Sequence, residues 1–202
     1  YEVYLEYNMR LKKNNSVDFD DLLRLPVELF LHHPEVLEMY QNRYRYILID
    51  EYQDTNEVQY KLVKLLASKR KNLFVVGDPD QSIYQFRGAN YKNILYFERD
   101  YPNTKVISLE DNYRSTKMIL DAANSVIRNN KERKEKNLRS HHGEGLKIQY
   151  HRSMDEKDEG NYIIKEIRSL LDEGYQKKDI AVFYRTNAQS RALEEQFLKA
   201  NI

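Results

Sequence analysis

The chain has 202 residues, 41% of them apolar and 32% charged, and its 33 basic and 32 acidic side chains leave a net charge of +1. That length builds a core unaided, and 17 Tyr and 7 Phe are too much buriable surface for a disordered chain; no apolar run approaches the ~18 residues of a membrane-spanning helix. The absence of cysteine removes disulfides, thiolate metal sites and cysteine nucleophiles and fits a reducing, cytoplasmic setting, while the near-neutral charge means that any polyanion is held by local geometry.

The opening YEVYLEYNMRLKKNN lacks the layout of a signal peptide, and LEEQFLKANI breaks off without a stop pattern, so the chain reads as a piece of a longer protein. Residues 1 to about 43 carry helical patterns only, broken by Pro26 and Pro34. The run Tyr46 to Asp50 (YILID) then predicts a strand covered on both faces. A helix follows over Glu57 to Lys69, with Val58, Leu62, Leu65 and Leu66 on one stripe and Asp54 as N-cap three residues before Glu57. Further strands are predicted at Leu73 to Gly77, Val106 to Leu109, Leu146 to Tyr150 and Ile180 to Tyr184. Helices are predicted at Asn93 to Asp100, Ser115 to Asn130 (Ser115 as N-cap), Glu156 to Leu171 and Asn187 to Lys199. The mixed charge run Lys131 to Arg139 reads as a solvated helix end or loop, continued by His141 and His142. Strand alternating with helix predicts an α/β fold with parallel strands. None of the six glycines precedes a lysine, so the chain has neither a GxxxxGK[ST] phosphate loop nor GxGxxG, and a complete nucleotide site is not present in it.

Three segments carry chemistry. YILIDEYQDTN ends a strand with adjacent carboxylates, Asp50 and Glu51, at the sheet edge where ligands bind in parallel α/β folds. The first acid suits a hydrated magnesium ion and the second can activate a water toward a γ-phosphate; equally, the pair is open to reading as charges that begin a turn. GDPDQSIYQFRGAN brings Asp78 and Gln81 to the same edge, followed by Tyr84, Phe86 and Arg87, which form either a platform for unpaired bases with a phosphate-binding arginine or core residues flanking a turn. LEDNYRST places Tyr113 and Arg114 before a helix, as a purine-stacking ring and a phosphate-neutralising guanidinium or as an ordinary surface pair.

The order and spacing of DEYQDTN, GDPDQSIYQFRGA and NYRS resemble superfamily 1 DNA helicases of the UvrD, PcrA and Rep type, on the PcrA side of that family. VDFDDLL and AVFYRTNAQSRALEEQ extend the likeness to nearly the whole chain. The resemblance implies RecA-like motor domains of the P-loop NTPase class and an ATP-driven, magnesium-dependent, 3′-to-5′ translocase acting on single-stranded and duplex DNA, served by repair or replication proteins. In that reading Asp50 binds magnesium, Glu51 activates the hydrolytic water and Gln81 senses the γ-phosphate. Tyr84 and Phe86 meet single-stranded DNA with Arg87 behind them, Tyr113 stacks on adenine, Arg114 is an arginine finger, and Arg185 and Asn187 approach the DNA backbone, Asn187 being also a natural N-cap. Phe86 stands where the family pattern has tryptophan, which keeps a π-face but loses area and the indole donor.

The resemblance also implies boundaries: residues 1–43 end a helical insertion of the first motor domain, 44–108 continue that domain, and 109–202 open the second. The phosphate loop and the later motifs fall outside, so these residues alone are expected to be inactive. Two other readings stand beside it, a non-catalytic DNA- or protein-binding scaffold and the motor part of a helicase-nuclease subunit.

Overall fold

A computed structural model describes residues 1–131 and 133–202, which divide into two compact units, Tyr1–Gly145 and Leu146–Ile202. The first unit opens with three helices, α1 (Glu2–Lys13), α2 (Asp21–His32) and α3 (Pro34–Arg43). Pro34 starts α3, where a missing N–H costs nothing. Pro26 lies inside α2 and does not break it, contrary to the sequence reading, because α2 is held from outside by packing on α3 and on α4 (Glu57–Ala67). Val27, Phe30 and Ala67 form that core, and the buried Gln41 amide donates to the Leu65 carbonyl (2.8 Å) at the end of α4.

Strand β1 (Ile47–Ile49) pairs in parallel with β2 (Leu73–Val75) through Ile47–Leu73, Leu48–Phe74 and Ile49–Val75. The ladder runs on past the strand ends, since the Val76 N–H donates to the Ile49 carbonyl (2.8 Å) and the Tyr52 N–H to Val76 (2.9 Å). Asp50, Glu51 and Asp78 therefore leave the sheet at one edge, as expected. The cap of α4 is a correction. Asp54 is spent in a 3₁₀ turn, Tyr52–Asp54, and Asn56 caps instead: its side chain accepts from the Gln59 N–H and the Gln59 side chain accepts from the Asn56 N–H, both at 2.9 Å.

The predicted helix at Asn93 to Asp100 is two short ones, α5 (Lys92–Leu95) and α6 (Phe97–Asp100). Phe97 packs edge-on against the fully buried Tyr52 (5.7 Å) and against Tyr101 (4.7 Å). A second parallel pair joins β3 (Asp111–Asn112) to β4 (Arg139–Ser140), flanking α7 (Lys117–Ile127), whose N-cap is Thr116 and not Ser115. In the second unit α8 (Glu156–Asp172) packs on α9 (Asn187–Ala200), with Ile164 and Ile167 buried. Gly160 is needed there, because a Cβ would stand 2.9 Å from Gln196 Cγ.

The runs Val106 to Leu109, Leu146 to Tyr150 and Ile180 to Tyr184 are not strands among the described residues. A strand exists only with a hydrogen-bonded neighbour, and these runs have none here; Leu146 and Phe183 are correspondingly 85% and 93% exposed. The α/β character and the parallel pairing stand, in sheets far smaller than the apolar pattern predicts.

Candidate functional site

The chain leaves β1 through Asp50 and turns sharply at Glu51, which adopts the left-handed conformation (φ 50°, ψ 41°) that non-glycine residues seldom take. One Asp50 oxygen accepts the Glu51 N–H (2.9 Å), and the rest of this exposed carboxylate faces solvent. Next to it the Gln53 side chain is sealed from water, 1% exposed. Its amide nitrogen donates to Glu51 Oε2 (2.7 Å) and Asp54 Oδ2 (3.3 Å), and its oxygen accepts the Asp78 N–H (2.9 Å). Gly77 makes room for this contact, since a Cβ there would lie 2.5 Å from Gln53 Oε1.

From the Asp78 turn, Gln81 donates to Asp78 Oδ2 (2.8 Å) and the Asp80 N–H to Asp78 Oδ1 (2.9 Å). Lys136 bonds Asp78 Oδ1, and Arg133 pairs with Asp80 (2.9 Å) through side chains 12% and 8% exposed. This corrects the reading of Lys131 to Arg139 as a solvated run: two of its cations are folded onto the acids of GDPDQ. Burial raises the Asp78 pKa, but the bonds from Lys136 and Gln81 outweigh it and hold the carboxyl below its ordinary value.

Tyr84 and Phe86 tilt toward each other at 6.2 Å with the Arg87 guanidinium 5.3 and 5.4 Å from the two rings. Phe86 is 78% exposed and Tyr84 is exposed too, so they are not core residues. The 3₁₀ turn Gln85–Arg87 that carries them closes on Gly88 at φ 87°. Immediately after it, the Asn90 N–H and the Asn93 amide donate to the Thr55 carbonyl (2.9 and 3.2 Å), which ties the aromatic loop to the segment after Glu51.

Tyr113 stacks on His141 (4.4 Å, 17°) and its carbonyl meets His142 Nε2 (2.7 Å), so both histidines belong to this loop and not to a free tail. Asn112 Oδ1 accepts the N–H groups of Arg114 (3.0 Å) and Ser115 (2.8 Å), a turn that leaves Arg114 exposed. No hydrogen bond or ion pair among the described residues links Arg114 to Asp50 or Glu51.

The family model described as UvrD/REP helicase N-terminal domain matches residues 1–102, and the UvrD-like helicase C-terminal domain matches 107–202. Proteins named ATP-dependent DNA helicase PcrA from Staphylococcus aureus and from Staphylococcus epidermidis are each 56% identical over 200 residues, covering 99% of this chain. This chain belongs to the UvrD/REP helicase family. It spans 27% of the length of those relatives. UvrD/REP membership implies a RecA-like helicase fold.

In this UvrD/REP chain, sequence reasoning picked out the acids and the exposed aromatics but missed Gln53, Arg133, Lys136 and His141. Gln53 had one available signal, an amide standing among four acids in IDEYQD and GD. Arg133 and Lys136 had none, because their partners lie 53 and 58 residues away. In the second unit Arg185 is exposed and its N–H donates to Gln189 Oε1 (2.9 Å). Thr186 caps α9, and Asn187 is the first helical residue, a correction to its reading as N-cap.

Asp50 fits a magnesium site of the kind completed by a nucleotide: one accessible carboxylate with a free oxygen, to which phosphate oxygens and water would add. Among the described residues no group of three or more His, Cys, Asp or Glu could hold a metal by itself, and no helix is long and apolar enough to cross a membrane.

Proposed function

We propose that this chain forms part of a cytoplasmic, ATP-dependent, 3′-to-5′ DNA helicase, and that it contributes one wall of the ATP site and a contact surface for single-stranded DNA. The observation that carries this reading is the linked series Glu51, Gln53, Asp78, Gln81 along one sheet edge, continued by the exposed Tyr84, Phe86 and Arg87. Asp50 would hold magnesium, which supplies charge neutralisation on the β and γ phosphates. Glu51 orients and deprotonates the attacking water, Gln81 reads the γ-phosphate, and Tyr113 and Arg114 meet the purine and the developing charge.

The phosphate loop belongs to residues outside these 202, with residues 1–43 ending a helical insertion, 44–108 continuing the first motor domain and 109–202 opening the second. The family matches, which end at 102 and resume at 107, support that division. The partners are single-stranded and duplex DNA together with proteins of repair or replication, and Arg185 and Asn187 are the proposed backbone contacts of the second unit.

DNA-stimulated ATP turnover by the intact protein is the test. Glu51→Gln and Arg114→Ala are each expected to lower turnover at least a hundredfold with nucleotide binding retained, and the isolated 202 residues are expected to show none. Normal turnover in either variant would remove that residue from its role, and a DNA-binding intact protein without ATP hydrolysis would favour a scaffold.

A further inference from the structure

Gln53 is placed unlike any other polar side chain of the site. It is 1% exposed, whereas the acids it joins, Glu51, Asp54 and Asp78, are exposed or half-buried. The Asp78 N–H can only donate, so the end of the amide that meets it must be the oxygen. The other end is then the NH₂ group, and its two hydrogens go to Glu51 Oε2 at 2.7 Å and Asp54 Oδ2 at 3.3 Å. A flipped amide would set an oxygen against two carboxylates and leave a buried N–H without an acceptor. The orientation is therefore fixed by chemistry on both sides. Gly77 supports it sterically, because any side chain there would strike Gln53 Oε1.

We infer that Gln53 is a positioning residue for Glu51, holding one carboxylate oxygen so that the other is presented to water, and joining the strand end that carries Glu51 to the turn that carries Asp78 and Gln81. This rests on the proposed ATP hydrolysis. It explains how Glu51 keeps one geometry at a backbone conformation where a free glutamate would sample several. It also gives a path of three hydrogen bonds, joined within Gln53 and Asp78 by covalent bonds, from the base to Gln81: Glu51 to Gln53, Gln53 to the Asp78 N–H, and Asp78 Oδ2 to Gln81.

The test is a double-mutant cycle in the intact protein, read as DNA-stimulated ATP turnover and ATP affinity. Gln53→Met keeps the volume and removes every hydrogen bond. It is expected to lower kcat about 10- to 100-fold, the cost of a misplaced catalytic group, with KM for ATP changed less than about twofold. In a Glu51→Gln background the same substitution is expected to cost nothing further, because the group it positions is already lost; a purely structural role would cost the same factor in both backgrounds.

Should Gln53→Met fail to fold by circular dichroism, Gln53→Glu is read in its place, since it keeps the acceptor for the Asp78 N–H and turns the donor into a repelling oxygen. Turnover of the substituted protein within twofold of the unsubstituted one, or equal losses in both backgrounds, overturns the inference while leaving the functional reading intact. An unsubstituted protein that hydrolyses no ATP overturns the functional reading first, and the inference with it.

Discussion

Phe86 stands in solvent beside the less exposed Tyr84 with the Arg87 guanidinium over both rings, an arrangement that leaves most of the Phe86 ring accessible. Left exposed, an apolar ring of this size contributes little to folding, and in the proposed function it serves as a stacking surface for DNA. A base stacked on it is worth about 1 to 3 kcal/mol whatever its identity. Phe86→Ala is accordingly expected to weaken single-strand binding by the intact protein by about that amount with ATP affinity unchanged, measured by fluorescence titration with a labelled oligonucleotide. Unaltered DNA affinity would take Phe86 out of the contact surface. At this scale the sequence was most legible where a side chain stands exposed on a turn or sheet edge, as Asp50, Phe86 and Arg114 do. It was least legible where a side chain acts through a partner: nothing in the string DEYQD shows that Gln53 is sealed while the acids beside it are not, because its oxygen packs against the Asp78 and Gly77 backbone 24 to 25 positions on.

Among the elements, β1 and β2 were readable because each is an apolar run whose partner lies within the chain, and the equally apolar Val106 to Leu109 failed as a strand only for want of one. Strands β3 and β4, by contrast, are the polar dipeptides Asp-Asn and Arg-Ser and carry no hydrophobic signal at all. At the start of α4 the sequence reading takes the spacing Asp54 to Glu57 and passes over Asn56 to Gln59. The 3₁₀ turn consumes the first and leaves the second.

The segment after α7 holds the GDPDQ turn through Lys136 on Asp78 and Arg133 on Asp80, and the Asp78 pair gives this contact a pH dependence. Because the folded Asp78 pKa lies below its ordinary value, the stabilisation is complete above the usual aspartate range near ~3.9 and is lost as pH falls through the depressed folded value. Lys136→Gln is therefore expected to destabilise the intact protein at pH 7, by an amount between the ~1 kcal/mol of a surface pair and the ~3 to 5 kcal/mol of a fully buried one, with a narrower gap at pH 3. Denaturant titrations at both pH values measure it. A gap that stays constant would mean that Lys136 acts through packing alone.

For the molecule as a whole, family membership was legible because its motifs are strings in fixed order, whereas the division into Tyr1–Gly145 and Leu146–Ile202 follows from contacts that no local pattern encodes. In the proposed cycle, ATP favours a state in which Glu51 and Gln81 on one side and Arg114 on the other all face the γ-phosphate; hydrolysis removes that preference and alters the grip of Tyr84 and Phe86 on DNA. In that proposed cycle the near-neutral charge of these residues, +1, leaves the grip on the strand to local geometry. The most direct measurement is a crystal structure of the intact protein with magnesium and a non-hydrolysable ATP analogue. It is expected to show the Glu51 carboxylate and the Arg114 guanidinium on opposite sides of one γ-phosphate, each within direct or single-water hydrogen-bond reach. A nucleotide bound with either group turned away from it would contradict the account.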